Sequence, residues 1–356
     1  MQPKQPSNPN GRTPSLSGQQ ISLKESPFYE STSKGVHCLI CPNNCVLREG
    51  IKGICRTHVA RENKLYMIGY GNPCSVHIDP IEKKPLFHYL PASACLSIAT
   101  SGCNLACQNC QNWEISQRGP EATDNHDLYP QQVVEAAVKH GCQSIAYTYT
   151  EPTVFYKYML DTAVIARSRG IRNLMISNGY INEKPLRELS KTLDAANIDL
   201  KSFSAETYEK LFRGRLQPVL DTLLVLREEE VWLEITNLLI PGLTDQPDLL
   251  RQMCGWLVSH GFSGTPLHFS RFHPMHKLTG TPVTPLNTLE TARKIALNAG
   301  IRYVYIGNVP GSDAENTFCP GCSKTVIERY GFTIAKNDVV NGACRFCGAK
   351  IEGVWS

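Results

Sequence analysis

No apolar run in this chain of 356 residues approaches the ~18–20 needed to cross a bilayer, which excludes a membrane-spanning helix. No block of like charges occurs either, and the net charge of +4 is modest and spread along the chain. That leaves no electrostatic footprint for tight nucleic-acid binding. The start of the chain lacks a signal-peptide pattern. Residues 1–34 lack aliphatic side chains almost entirely and are rich in Pro, Gln, Asn, Ser and Gly. Such a segment buries too little surface to offset its ordering entropy, so a disordered or extended tail is expected.

Cysteine is abundant instead, with fifteen in the chain. In a short secreted protein that number would mean a disulfide scaffold. In a long chain with C-x2-C and C-x3-C groupings it reads as metal sites in a reducing, cytoplasmic setting. Cys38, Cys41, Cys45 and Cys55 form the first group, C-x2-C-x3-C-x9-C, with Gly50 and Gly53 letting the loop turn. Structural zinc or a second iron–sulfur cluster satisfies that spacing, zinc being preferred because four thiolates close the site. His37 and His58 read as surface histidines beside it. Cys319, Cys322, Cys344 and Cys347 form the last group, two C-x2-C pairs with 21 residues between them. They read as the knuckles of a zinc ribbon around a hairpin, RYGFTIAKNDVV, which either touches nucleic acid or protein or caps the rest of the fold. Cys74, Cys95, Cys142 and Cys254 are isolated and read as buried small apolar residues.

The middle group differs. Cys103, Cys107 and Cys110 lie in SGCNLACQNCQNWEI, directly after the apolar run Cys95–Thr100. Three thiolates are one short of a closed site, and an open metal position is where chemistry takes place.

From Cys95 onward, short β-rich runs alternate with amphipathic helical stretches. Strands are expected at Cys95–Thr100, Ser144–Thr150, Asn173–Ser177, Asn197–Leu200, Val231–Ile240, Leu267–Arg271 and Tyr303–Ile306. Between them, PQQVVEAAVKHG places Pro130 near a helix start and Gly141 past its end, and TVFYKYMLDTAVIARSRG ends likewise at Gly170. Repeated βα units imply a parallel sheet, and six or seven are too few to close an eight-stranded barrel. The expected fold is α/β, a partial (β/α)6-type TIM-like barrel with its ligand site at the C-terminal strand ends. The domains are then a tail (1–34), an N-terminal four-cysteine module with its connector (35–91), the barrel (92–312) and a C-terminal zinc ribbon (313–356). A β-like stretch, Lys64–Gly71, precedes the connector Asn72–Pro91, where Lys83, Lys84 and His88 read as exposed.

The C-x3-C-x2-C loop resembles that of the radical SAM enzymes. The longer run GCNLACQNCQNWEIS is similar to the branch related to pyruvate formate-lyase-activating enzymes, specifically the AmmeMemoRadiSam system radical SAM proteins. The resemblance spans His37 to Trp355. It implies that Cys103, Cys107 and Cys110 hold three irons of a 4Fe–4S cluster, with S-adenosylmethionine chelating the fourth. An external one-electron reductant then drives cleavage to a 5′-deoxyadenosyl radical that abstracts hydrogen from a substrate. Asn109 stands where the family has an aromatic residue against adenine.

Tyr147–Pro152, YTYTEP, resembles the family's Gly-Gly-Glu-Pro turn at Glu151 and Pro152. It implies cosubstrate contacts by Glu151 and Thr150, with Tyr149 and Thr150 in the glycine positions. Ser177-Asn178-Gly179 resembles the Thr-Asn-Gly that meets the ribose or carboxylate, and Ile176 stands where those enzymes place an Asp. Ile198–Lys201 resembles their Asp-Leu-Lys, which points Asp199 and Lys201 at the cosubstrate. Ile240–Asp245 is similar to an IPG-type turn in which Gly242 lies on adenine, with Thr244 or Asp245 capping the next helix. His268, Arg271, His273, His276 and Lys277 crowd one strand end and read as a grip for an anionic substrate, and Asn308 in Ile306–Gly311 reads as a neighbour of the pocket. The substrate stays open between a small molecule, a protein and an RNA, with partner proteins of the same system assisting. The alternatives are a glycyl-radical activase of a partner protein and a non-catalytic metal-binding or RNA-associated scaffold.

Overall fold

The computed structural model describes residues 13–14, 20–309 and 311–356. Its main sheet has eight strands in sequence order. They are β1 (Ser75–Pro80), β2 (Ala94–Ala99), β3 (Ser144–Tyr147), β4 (Arg172–Ser177), β5 (Ala195–Asp199), β6 (Trp232–Leu239), β7 (Leu267–Arg271) and β8 (Val304–Gly307). Strands β2 to β8 pair in parallel, and β1 joins β2 antiparallel at the edge. The end strands do not pair with each other, so the sheet stays open.

Burial on both faces explains why the parallel strands read as unbroken apolar runs. Alternate side chains serve two different cores. Leu96, Ile98, Ile145, Tyr147, Met175, Ala196 and Ile198 pack with the helices in one large cluster. Cys95, Ala146, Leu174 and Ala195 face the other way, against Ile81, Leu86, Tyr89 and Leu90 of the connector. The major helices are α1 (Pro130–Lys139), α2 (Tyr156–Ser168), α3 (Glu183–Ser190), α4 (Gln217–Glu228), α5 (Pro247–Ser259) and α6 (Leu286–Ala299). Helices on one face only are the arrangement of a partial barrel, not of a doubly wound sheet. No helix among the described residues is long and apolar enough to cross a membrane.

Two expectations fail. Much of residues 20–34 is paired, with Leu23–Glu25 against Tyr66–Ile68 and Tyr29–Thr32 against Gly35–Cys38. The few aliphatic residues of this stretch suffice: Ile21, 1% exposed, packs with Val59 and Ile68, Leu23 lies against them, and backbone pairing holds the rest. The rest of the expected tail falls outside the described residues, as does Pro310, apart from Thr13–Pro14, which pairs with Gln20–Ile21. The connector is also more than a linker, because its first part forms β1.

Thr317–Phe318, Thr325–Tyr330 and Thr333–Asn337 form a three-stranded sheet in the C-terminal module. The module docks at the end of the main sheet where the parallel strands begin. Arg329, 2% exposed, donates to the Phe87 carbonyl at 2.7 Å and to Thr317 Oγ1 at 2.8 Å, with its guanidinium over the Phe87 ring. Beside it the fully buried Glu234 accepts from the Phe87 and His88 backbone N–H groups and from His268 Nε2. His88 spans the junction between Tyr305 Oη and the Glu352 carbonyl.

Burial lowers the His88 pKa to about 4. An unfolded histidine titrates near ~6.5, so on acidification the unfolded chain takes up the proton first. The stability due to this neutral ring is therefore full above that value and is lost as pH falls toward about 4. Thermal unfolding under anaerobic conditions should show a lower Tm at pH 5 than at pH 7, with a slope of up to about 1.4 kcal/mol per pH unit from this residue. His88→Gln should flatten that part of the slope.

Candidate functional site

The loop after β2 carries Cys103, Cys107 and Cys110 across the C-terminal ends of the parallel strands. Gly102 opens it at φ +97°, and a Cβ there would sit 2.5 Å from the Cys55 carbonyl oxygen and 2.6 Å from Thr57 Cγ2. Only glycine fits so close an approach. Cys103 Sγ accepts from the Leu105 N–H at 3.4 Å and lies 3.7 Å from Asn178 Nδ2. Cys107 lies in the field of Lys201 and Asp199, and Cys110 faces Ser116. Burial raises all three thiol pKa values, that of Cys107 to about 11.

Glu151 is 1% exposed, and its carboxylate accepts from Thr153 N–H at 2.9 Å, Thr153 Oγ1 at 2.7 Å, Ser177 Oγ at 2.8 Å and Asn178 N–H at 2.8 Å. It ties the end of β3 to the end of β4. Burial raises its pKa, against these donors, which favour the charged form. Glu151 also caps the short helix Pro152–Phe155, while Thr150 Oγ1 donates to the Thr100 carbonyl at 2.7 Å. Asn178 also bonds Asn104 Oδ1 at 2.9 Å, which fastens the strand turn to the cysteine loop.

Asp199 and Lys201 form an ion pair at 2.7 Å, with side chains 40% and 20% exposed. Burial works against the lysine's charge, but Asp199 and Cys107 hold its pKa above the usual range. Gly242 has φ +74°, and its N–H donates to Asp245 Oδ1 at 2.8 Å. Neither Thr244 nor Asp245 caps α5: Gln246 takes that position, and Thr244 Oγ1 bonds the Leu238 carbonyl.

Tyr149 stands where the resembled turn has glycine, and it takes the left-handed φ of +63°. Bulky residues rarely adopt that conformation. Here both ends of the residue are held: its hydroxyl donates to Asp79, and its carbonyl accepts from Asn112 Nδ2 at 2.6 Å. Lys84 Nζ lies 4.3 Å from the ring centroid and 2.7 Å from Asp79, while Lys83 reaches the other Asp79 oxygen at 2.8 Å. Lys84 is thus buried rather than exposed. Sequence reasoning missed Asp79, Asn104 and Asn112. The only signal for Asp79 was the polar alternation in SVHIDP.

Three of the residues read as an anion grip, His268, Arg271 and His276, do not converge. His268 is buried against Glu234, Arg271 Nε donates to the Thr284 carbonyl, and His276 stacks on Trp113 at 5.2 Å. Asn308 Nδ2 bonds Ser270 Oγ at 2.9 Å.

Residues 97–253, from β2 through most of α5, match the Radical SAM superfamily. The chain is 46% identical over 333 residues to an uncharacterised protein of Methanocaldococcus jannaschii, spanning 93% of this chain and 99% of that one. The chain belongs to the radical SAM superfamily, and it is an enzyme. Over 167 residues it is also 25% identical to the pyruvate formate-lyase-activating enzyme of Listeria monocytogenes, covering 43% of this chain and 64% of that one. Among solved structures, Streptococcus suis SuiB bound to S-adenosylmethionine is similar with a TM-score of 0.49 at 12% identity, over 68% of this chain and 56% of that one.

This radical SAM enzyme presents a donor set that fits the family's cluster and cosubstrate. Three cysteines share one loop with raised pKa values, so a metal must displace their protons. Asn109 Oδ1, directly before Cys110, is buried without a hydrogen-bond partner. Among the described residues, Cys319, Cys322, Cys344 and Cys347 are the only group of three or more possible ligands gathered within 4.8 Å of one another. The sulfurs of the three-cysteine loop are therefore spread wider than a single ion requires.

Proposed function

We propose that this enzyme cleaves S-adenosylmethionine reductively at a 4Fe–4S cluster held by Cys103, Cys107 and Cys110, and abstracts hydrogen from a substrate at the C-terminal strand ends. The observation that carries this reading is the convergence of β3, β4 and β5 on the cysteine loop. Asn178 stands 3.7 Å from Cys103 Sγ, and the Asp199–Lys201 pair lies beside Cys107. When bound, the cluster and cosubstrate supply one-electron cleavage of the sulfonium to methionine and a 5′-deoxyadenosyl radical.

The chain's own residues bind and orient. Glu151 holds the β3 turn against β4 and leaves Thr150 and the backbone of Tyr149 to face the cosubstrate amino group. Ser177 and Asn178 meet its ribose or carboxylate. Lys201, kept charged by Asp199, balances the negative charge that three thiolates bring to a buried site. Gly242 lies on the adenine, and Asn109 offers its unpartnered Oδ1 to the adenine amino group in place of an aromatic face. The reductant is an external one-electron donor.

Similarity to an activating enzyme favours a second reading, formation of a glycyl radical on a partner protein. One assay tests both. The anaerobically reconstituted, reduced protein should release 5′-deoxyadenosine from S-adenosylmethionine, and no cleavage would leave only a metal-bearing scaffold. With a partner protein present, a glycyl signal in electron paramagnetic resonance selects activation. Deuterium transfer from a labelled small molecule or RNA into 5′-deoxyadenosine selects direct modification.

A further inference from the structure

The two four-cysteine groups differ in size. At the C-terminus Cys319 Sγ and Cys347 Sγ are 3.6 Å apart, and Cys322 Sγ and Cys344 Sγ 3.8 Å. A tetrahedron with Zn–S bonds of ~2.3 Å has sulfur–sulfur edges of ~3.8 Å, so that group has the dimensions of one ion. Cys38, Cys41, Cys45 and Cys55 do not: no three of their sulfurs gather within 4.8 Å. Yet all four line a single small cavity of about 20 Å³, together with Ile40 and Val154. The sulfurs of Cys103, Cys107 and Cys110 likewise do not gather within 4.8 Å of one another.

We propose that Cys38, Cys41, Cys45 and Cys55 hold an iron–sulfur cluster of their own and not a zinc ion. Several irons and sulfides stand between the cysteines of such a cluster and keep their sulfurs apart, whereas a single ion draws them together. The surroundings suit it. No carboxylate lines the cavity, and Ile40, Leu47 and Val154 supply apolar walls. Thr57 Oγ1 lies 3.3 Å from Cys55 Sγ, and His58 Nδ1 lies 3.6 Å from the same sulfur. Hydrogen bonds to sulfur are among the terms that set a cluster's potential. Thr57 Oγ1 also reaches the Val154 carbonyl at 2.9 Å, anchoring the site to the segment that follows Glu151. The module abuts the three-cysteine loop directly, through the Cys55 carbonyl against Gly102 and through Asn43 Nδ2 to the Asn104 carbonyl at 2.7 Å. The site is thus a second metal centre built against the first.

The inference deepens the reading above, and its test separates the two. The full chain is reconstituted anaerobically with ferrous iron and sulfide, as wild type, as Cys103→Ala/Cys107→Ala/Cys110→Ala and as Cys38→Ala/Cys45→Ala. The triple variant leaves the N-terminal module intact. It should retain roughly two to four irons per chain with matching sulfide, the content of a four-cysteine cluster. After dithionite reduction it should show a paramagnetic signal that S-adenosylmethionine does not shift. The Cys38/Cys45 variant should lose that share of iron and keep a signal that S-adenosylmethionine does shift. A triple variant without iron overturns the second cluster, whatever its zinc content. A Cys38/Cys45 signal indifferent to S-adenosylmethionine overturns the radical reading instead and leaves the triple variant's iron as evidence for the second site.

Discussion

Cys107→Ala should reduce 5′-deoxyadenosine release to the level of a protein-free control and remove the iron held by the loop after β2. Burial pushes this thiol up to about 11 and raises the Cys103 thiol as well. At neutral pH such groups remain protonated unless a metal takes the proton's place. Each cysteine is therefore needed as a ligand, and the two left after the substitution cannot hold a cluster that already has one protein ligand fewer than a closed site. Cys142→Ala is the matched control. That cysteine is 3% exposed, packs in the helix-side core and stands outside every cysteine group, so its loss should cost about 1 kcal/mol and leave turnover unchanged. Iron analysis and chromatography of the reaction products check both. Wild-type cleavage by Cys107→Ala would place the radical source elsewhere in the chain.

The parallel sheet was legible because each of its strands is a short apolar run followed by a helix with readable ends. Leu267–Arg271 is read to the residue, and the other parallel strands to within a few. Gly141 and Gly170 end their helices in the left-handed conformation that the pattern demands. What escaped were features held by pairing and by distant partners. The edge strand Ser75–Pro80 has side chains exposed to different degrees on both faces, so it reads as a connector. Glu234 was visible only as one charge in the run VWLEITNLLI, and its meaning depends on His88 and His268, 146 and 34 residues away. The histidine-rich strand end misled for the same reason: spacing brings His268, Arg271 and His276 together in sequence, but the fold sends them to a buried carboxylate, a carbonyl and an indole. Tyr149 shows the converse. A tyrosine stands in a glycine position, and the structure keeps a left-handed φ there by anchoring it at both ends.

The C-terminal cysteines have the dimensions of a one-ion site, and if they hold zinc, stripping it should have an effect of comparable size, but on stability. The Gly321 and Phe346 backbone N–H groups donate to Cys319 and Cys344 sulfurs at 3.3 and 3.4 Å, the pattern of paired knuckles that stabilise bound thiolates. Structural zinc in small cysteine modules is worth about 10 kcal/mol or more, because the unfolded chain offers no preformed site. Without it, little apolar core remains to hold Thr317–Cys347 together: Cys319, Val326, Cys344 and Ile351 form the small cluster that covers Phe87, Tyr303 and Tyr305. Cys344→Ser, or chelation at neutral pH, should therefore free the module and expose those three rings. Arg329 would lose its grip on the Phe87 carbonyl, and the buried Glu234 would be opened to water. Hydrogen exchange should rise sharply in Thr325–Asn337 and in Phe87–Leu90, and Tm should fall. Iron at the loop after β2 should persist, because that loop crosses the opposite end of the parallel strands. Metal analysis should find one zinc per chain lost with Cys344→Ser. Iron lost in its place, or unchanged protection at Phe87–Leu90, would show that this group does not clamp the sheet through zinc.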